Sequence, residues 1–231
     1  GKVKAIDDRM GFLTPILKGF LTEIGTECTS IGIQVYGGHG YIQSNKQESI
    51  MRDIRIATVW EGTTQIQALD LLGRKIMLQK LKPINDHCKE IYAYCWKAAL
   101  GGSGRSRWHA IQLYRKTLEW QFLTYRIAVG AAKDKEVIGM ASVEYLLYSG
   151  YVSLAYHWLK MEVAAEAALK DKTKENALDE GFYQAKIETA HFYFENLLPR
   201  TAWLKQSMLA PADSVMAMPE ASFSFDHSRG Q

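Results

Sequence analysis

Residues 17–35, LKGFLTEIGTECTSIGIQV, place an apolar side chain at every third or fourth position. The apolar residues that share this spacing are Leu17, Leu21, Ile24, Cys28, Ile31 and Val35. Such steps bring side chains onto one face of an α-helix, which completes a turn about every 3.6 residues. The stretch therefore predicts a long amphipathic helix whose apolar stripe packs in a core.

The same spacing recurs in four further stretches. Their apolar positions are Ile84, Cys88, Ile91 and Cys95; Ile111, Tyr114, Leu118, Phe122, Tyr125 and Val129; Leu147, Tyr151, Leu154, Trp158, Met161 and Ala165; and Ile187, His191, Phe194 and Leu198. No alternating pattern typical of a β-strand competes with them. We therefore predict an all-α fold, an antiparallel helical bundle followed by a second helical bundle, with these stripes in the cores.

Proline, glycine and polar residues interrupt the helical pattern at a few joints. Residues 79–86 contain Pro83, and we place a domain boundary near residue 82. This predicts a first helical domain at residues 1–82, with its start missing, and an additional helical domain at residues 83–231. Pro199 is expected to end or kink the last helix, and the tail from about residue 211 is expected to be irregular, either an extended arm over the bundle or partly disordered.

Composition narrows the class of protein. The 28 basic and 25 acidic residues give a net charge of +3, too balanced for a nucleic-acid-binding surface, so we expect no nucleic-acid partner. No stretch reaches the roughly 20 apolar residues of a membrane span, and no signal peptide is visible. We expect a bacterial cytoplasmic protein, or a mitochondrial matrix protein in a eukaryote. The three cysteines form no C-x-x-C motif, and we predict no metal site.

The first unusual motif is QVYGGHGY at residues 34–41, where three glycines follow a helical stretch. Glycine lacks a Cβ atom, so its backbone can take left-handed angles and approach a flat ligand closely. A plain helix C-cap explains the same glycines, and His39 is then a surface or packing residue. Taken alone, the motif favours the cap.

The second unusual motif is EGTTQIQ at residues 61–67, after a helix expected at residues 46–60. Thr64 and Gln67 have capping-box spacing, which predicts a helix start with free backbone N–H groups. Glu61 follows Val59 and Trp60, whose apolar walls would raise its pKa and suit it to abstract a carbon-bound proton. The alternative is an ordinary solvated glutamate.

Three motifs in this order resemble the C-terminal domain of acyl-CoA dehydrogenases over about residues 11–80. They are Gln34-x-x-Gly37-Gly38-x-Gly40-Tyr41, Arg52-Asp53-x-Arg55-Ile56 and Glu61-Gly62-Thr63-Thr64-Gln65-Ile66-Gln67. The helical extension beyond residue 82 is similar to the larger members of that family, which carry an extra C-terminal helical domain. For Glu48, Arg52, Asp53 and Arg55 we prefer a surface ion-pair set to a catalytic role.

The resemblance implies an FAD-dependent oxidation of an acyl-CoA thioester to the trans-2-enoyl-CoA. Glu61 matches the family's base, which takes the α-proton while the β-hydride goes to flavin N5, and Gly62 would leave room for the substrate. The positions that match the family's contacts to FAD, the first three of them from a neighbouring subunit, are Gln34, Gly37, Gly38, Thr63 and Gln65. The implied partners are acyl-CoA, an electron-transfer flavoprotein or similar acceptor, and further copies in a homodimer or homotetramer.

Two alternatives stay open from the sequence. An acyl-CoA oxidase shares the half-reaction and differs in letting oxygen reach the reduced flavin, so rapid peroxide release would identify it. A non-catalytic helical module would use residues 83–231 for assembly, and a glutamate replacement would not affect its turnover. The chain also resembles only the C-terminal part of the family, so as a fragment we expect it to be inactive alone.

Overall fold

The computed structural model describes residues 2–171 and 180–223, which form helices and turns without a β-strand, so the all-α prediction is confirmed. The α-helices in chain order are α1 (Lys2–Tyr36), α2 (Gly38–Tyr41), α3 (Gln47–Ala57), α4 (Thr64–Leu69), α5 (Lys82–Gly101), α6 (Gly104–Ala131), α7 (Glu136–Lys170), α8 (Glu180–Phe192), α9 (Thr201–Met208) and α10 (Asp213–Met216). π-helical segments cover Asp70–Met77 and Tyr193–Leu197, and 3₁₀ turns cover Gln43–Asn45, Leu198–Arg200 and Glu220–Phe223.

Helix α7 is the centre of the fold, because α1, α4, α6, α8 and α9 all pack against it. By length and composition it is the one helix among the described residues that could cross a bilayer. The core helix of a globular bundle has the same composition, and 56% of the apolar window of α7 is buried. The expected absence of a membrane span stays a prediction.

Helix α6 buries a different face from the one that the sequence predicts. Its buried residues include Ala110, Leu113, Thr117, Trp120, Leu123, Thr124 and Ile127. The predicted stripe, apart from half-buried Tyr114, is exposed at Ile111, Leu118, Phe122, Tyr125 and Val129. The buried threonines explain the error, because each hydroxyl donates to the carbonyl four residues earlier, at 2.8 Å, and so enters the core with its donor satisfied.

In helix α1 the predicted stripe also differs from the buried one, which lies one position earlier in the sequence. Phe12, Ile16 and Phe20 lie in the core, whereas Leu17 and Leu21 are exposed. The other members of the predicted stripe are half-buried Ile24 and exposed Cys28, Ile31 and Val35. The helical period of the prediction agrees with the structure. The helices that pack on α1 determine which of its faces is buried, and the buried stripe lies in the first half of α1.

The predicted stripe of α5 is correct, since Ile84, Cys88, Ile91 and Cys95 are all buried. Both cysteines are free thiols, and burial raises the pKa of each to about 12. They therefore act as small apolar side chains rather than as nucleophiles. The predicted α7 stripe is likewise buried or half-buried along its whole length.

The joints follow the sequence signals in part. Lys80 and Leu81 adopt left-handed angles, φ 52° and 62°, directly before α5 begins. One hydrophobic core nevertheless contains residues from both sides of this joint, so the domain boundary near residue 82 stays a prediction. Pro199 lies in the 3₁₀ turn Leu198–Arg200, which interrupts the helix as predicted before α9 begins. The expected extended tail is wrong over α10 and Glu220–Phe223, which are short exposed helical turns, and residues 224–231 lie outside the described range.

Candidate functional site

A fixed turn holds Glu61 in front of α4. Glu61 and Gly62 have φ angles of 55° and 91°, in the left-handed region that a glutamate rarely adopts. The Lys18 side chain of α1 donates to the Gly62 carbonyl, and Gln67 Nε2 of α4 donates to the Glu61 carbonyl at 3.0 Å. Two helices therefore hold the peptide groups on both sides of Gly62, and these contacts support the unusual angles of the turn.

The side chain of Glu61 is exposed in this chain. The expected apolar walls are not assembled around it, because Val59 and Trp60 are themselves 52% and 62% exposed. Helix α3 also ends at Ala57, earlier than predicted, and leaves these residues in an open turn. The described chain therefore positions a carboxylate without supplying the apolar pocket that the sequence predicted for it.

Thr63, and not Thr64, caps the start of α4. Thr63 Oγ1 accepts a hydrogen bond from the backbone N–H of Ile66 at 3.4 Å. Thr64 is buried and donates to Glu23 Oε1 of α1 at 2.5 Å. The predicted capping box is therefore wrong in its residues, although a helix does begin there, and Gln65 lies exposed in its first turn.

The glycine motif closes α1 and then folds back on it. Gly37 has φ 61°, which favours glycine, and its N–H donates to the Gln34 carbonyl at 3.1 Å. A Cβ at buried Gly40 would lie 2.6 Å from the Ile33 carbonyl oxygen, so that site also requires glycine. Gly38 is exposed and a Cβ there would meet no atom within 4 Å. The cap interpretation thus explains Gly37 and Gly40 but gives no reason for Gly38.

The structure keeps the two groups of predicted cofactor positions apart. The α4 start is fixed to α1 at Glu23, and Gln34 lies eleven residues further along the same helix. This spacing corresponds to roughly 17 Å along the helix axis. Glu61, Thr63 and Gln65 therefore form one cluster beside the middle of α1, while Gln34, Gly37 and Gly38 form another at its C-terminal end.

The predicted ion-pair set on α3 is confirmed for one pair. Arg52 Nη2 lies 2.9 Å from Glu48 Oε2, four residues apart on the helix surface. Arg55 donates instead to Thr58 Oγ1 in the turn that follows α3, and Asp53 is exposed. These contacts are local to α3 and to the turn that follows it.

A cleft beside α4 contains a cation that the sequence did not indicate. The cleft has a volume of about 520 Å³, and Gln65, Tyr151, Arg200 and Trp203 contribute to its walls. Arg200 Nη1 donates to both carboxylate oxygens of Glu27, at 2.7 and 2.9 Å. Hydrogen bonds to Tyr151 and Glu27 raise the pKa of Arg200, so it is a permanent charge. A pairing over 173 residues leaves no local signal in the sequence.

Two family models match the chain. Residues 82–219 match "Acetyl-CoA dehydrogenase C-terminal like", and residues 3–77 match "Acyl-CoA dehydrogenase, C-terminal domain". Helices α5–α9 thus lie in the first match, and the Glu61 turn lies in the second.

Individual relatives agree with these models. The chain is 32% identical over 187 residues to 3-methylmercaptopropionyl-CoA dehydrogenase of Ruegeria pomeroyi, covering 81% of this chain and 31% of that protein. It is 26% identical over 217 residues to the broad-specificity linear acyl-CoA dehydrogenase FadE5 of Mycobacterium tuberculosis, covering 91% and 35%. A shorter match, 39% over 56 residues, covers 24% of the chain and 15% of the caffeyl-CoA reductase-Etf complex subunit CarC of Acetobacterium woodii. The chain spans about a third of the length of the first two relatives.

Proposed function

The chain belongs to the acyl-CoA dehydrogenase family, and from that premise we propose that it forms part of an FAD-dependent enzyme that oxidises an acyl-CoA thioester to the trans-2-enoyl-CoA. The observation that carries the proposal is Glu61, a carboxylate held at φ 55° in the turn directly before α4. In this role Glu61 removes the α-proton of the substrate.

The turn also suits the polarisation of the thioester carbonyl. As the α-proton leaves, negative charge develops on the carbonyl oxygen, and a backbone N–H group in a fixed position stabilises that charge without reorganising. We assign this donor to the N–H of Glu61, which directly precedes the two peptide groups that Lys18 and Gln67 hold. Gly62 has no side chain to obstruct a substrate beside Glu61.

FAD, when bound, supplies the acceptor for the β-hydride. The open backbone at Gly38 supports an approach by a flat group from outside the chain, because a Cβ there would find free space. We assign Gln34, Gly37 and Gly38 to one FAD molecule. We assign Thr63 and Gln65, at the start of α4, to a second FAD molecule.

The family's use of the first three positions from a neighbouring subunit supports an oligomer in which neighbouring copies complete one another's sites. The exposed apolar side chains of α1, among them Leu17, Leu21, Ile31 and Val35, supply a surface for such packing. We propose a homodimer or homotetramer. The exposed Val59 and Trp60 then have partners that complete an apolar pocket around Glu61.

The name of the relative from Acetobacterium woodii includes an Etf complex, and we propose an electron-transfer flavoprotein as the electron acceptor here. The competing oxidase activity would release peroxide at the rate of flavin reduction. A stopped-flow measurement in air, with and without an electron-transfer flavoprotein, separates the two activities.

The central test is anaerobic bleaching of the flavin by a panel of acyl-CoAs in the intact protein, comparing wild type with Glu61→Gln. The variant keeps the shape of the side chain and removes the base, so we expect the bleaching rate to fall about 10²- to 10⁴-fold. Glu136→Gln, an exposed glutamate in the first turn of α7, is the matched control and should bleach at the wild-type rate.

Flavin content must be measured for each variant by its absorbance. A Glu61→Gln protein that holds flavin but does not bleach supports the assignment, and the panel then names the substrate. Equal bleaching in Glu61→Gln and wild type places the base on another residue.

A further inference from the structure

A histidine–carboxylate cluster lies at the contact between α6, α7 and α8, away from the Glu61 turn. His109 Nε2, His191 Nδ1 and a carboxylate oxygen of Glu195 all lie within 4.8 Å of one another. The two ring nitrogens are 3.3 Å apart. We propose that these three side chains bind a divalent transition-metal ion, Zn²⁺ above all.

The separation of the nitrogens fits a tetrahedral site. With metal–nitrogen bonds of about 2.0–2.1 Å, two ligands at the tetrahedral angle lie roughly 3.3 Å apart. His109 Nε2 and His191 Nδ1 already stand at that distance. Glu195 is exposed, so a change of rotamer can bring its carboxylate closer to the two nitrogens. This change would break the hydrogen bond that Glu195 accepts from Gln112.

His109 is oriented as metal-binding histidines usually are. Its Nδ1 lies 2.8 Å from Glu162 Oε2, and both side chains are fully buried. The carboxylate accepts the Nδ1 proton and leaves the lone pair of Nε2 facing His191. Phe194 stacks on the imidazole at a centroid distance of 4.4 Å and an interplanar angle of 4°, which fixes the ring. His191 then binds through Nδ1 and carries its own proton on Nε2.

The charges also favour a cation. Glu162 Oε1 is buried and finds no hydrogen-bond partner within the described part of the chain. A buried carboxylate with an unmet oxygen is costly unless positive charge lies close by. A divalent ion bound to His109 would neutralise Glu162 and Glu195 together.

Two further features fit the proposal. Glu195 lies in the π-helical segment Tyr193–Leu197, and such segments are frequent at functional sites. The half-buried His191 and the exposed Glu195 leave an entry from solvent to the buried His109. Two imidazoles and one carboxylate suit Zn²⁺ and leave a fourth position for water. The ion would fasten α8 to α6.

The competing explanation is a chain of hydrogen bonds from Glu162 through His109 to His191, in which the His191 Nδ1–H donates to His109 Nε2 and no metal takes part. The test is to remove metals from the intact protein with a chelator and measure Zn²⁺ affinity by calorimetry. We expect one ion per chain. With Co²⁺ in its place, we expect the visible absorption of a four-coordinate site.

Three variants locate the ion. Glu162→Gln still accepts the Nδ1 proton but lacks the charge, and should weaken Zn²⁺ binding about 10- to 100-fold. His191→Gln removes a ligand on a half-buried side chain and should weaken it further. His157→Gln changes an exposed histidine of α7 outside the cluster, and its affinity for Zn²⁺ should equal that of wild type.

If wild type binds no stoichiometric Zn²⁺, or if His191→Gln binds it equally well, the cluster is a hydrogen-bond chain only and the proposal fails. Neither result depends on the proposed enzyme activity.

Discussion

Helices α1 and α7 each contain 35 residues, yet they meet opposite environments. Over residues 141–156 every side chain of α7 is buried or half-buried, because α1, α4, α6, α8 and α9 pack on this helix. α1 inserts Phe12, Ile16 and Phe20 into the core and leaves much of its remaining apolar surface exposed. Helix length and apolar content therefore do not tell whether a helix is central or peripheral. The exposed side of α1 is the surface that we assign to neighbouring subunits.

The largest expected effect comes from truncating adjacent residues of α1. Phe20 is 2% exposed and Leu21 is 48% exposed. Phe20→Ala should lower the free energy of unfolding by about 3–5 kcal/mol, because it empties a filled site between α1 and α7. Leu21→Ala should cost about 1 kcal/mol or less in the monomeric chain. Urea unfolding measures both, and equal costs would show that the outer face of α1 is covered in solution.

A pH-dependent effect tests the contact of α1 with α5. The His87 ring lies 5.6 Å from the Phe12 ring and 6.0 Å from that of Trp120. Burial lowers the pKa of His87 from 6.5 to about 4. Below pH 6.5 His87 binds a proton in the unfolded chain but stays neutral in the folded chain. The free energy of unfolding therefore falls by up to about 3 kcal/mol as the pH drops towards 4.

His87→Phe keeps an aromatic ring of similar size and removes the titration. Its free energy of unfolding should therefore fall less than that of wild type between pH 6.5 and 4, as followed by urea unfolding at each pH. An identical slope in both proteins would mean that His87 is solvated and that α1 is not firmly docked over it.

The smallest of these effects concerns two glycines of α7. A Cβ at Gly150 would lie 2.1 Å from the Phe20 ring, whereas one at Gly139 would meet no atom within 4 Å. Gly150→Ala should destabilise by about 1–3 kcal/mol through overpacking. Gly139→Ala should stabilise by roughly 0.5–1 kcal/mol, because alanine is the better helix former.

Phe20 provides the control for this pair of variants. If Gly150→Ala acts through the ring, its cost should shrink in a Phe20→Ala background, since the two changes then share a site. Strict additivity of the two costs would show that α1 and α7 do not meet as closely as described.

The sequence was sufficient to predict the helices, but it was not sufficient to predict which face of each helix is buried. Periodic spacing identifies a stripe, but the environment of each face depends on neighbours far away in the chain. In α6 the stripe from Ile111 to Val129 was the more apolar face, yet the core took the face with Thr117 and Thr124. Threonine hydroxyls bonded to their own helix make such a face compatible with burial.

The candidate sites likewise combine features that the sequence located with contacts that it did not predict. The motif spacing located the helix start after Glu61 and the glycine end of α1, but it did not predict the left-handed angles of Glu61. The contacts that position them do not follow, because Lys18 and Gly62 are 44 residues apart and Thr64 and Glu23 are 41 apart. His191 and Glu195 did carry a local signal, four positions apart on one face, but their partner His109 lies 82 residues before His191.

The central position of α7 affects how the chain is made on the ribosome. Helices α8 and α9 both pack on α7 and are synthesised after it. Helix α9 ends 38 residues after the end of α7. At about 5–20 residues per second, an unusually apolar helix waits roughly 2–8 seconds for its last partners. During that interval nascent α7 presents its apolar surface to chaperones and to other nascent chains, so the yield of native protein should depend on translation speed over residues 171–208.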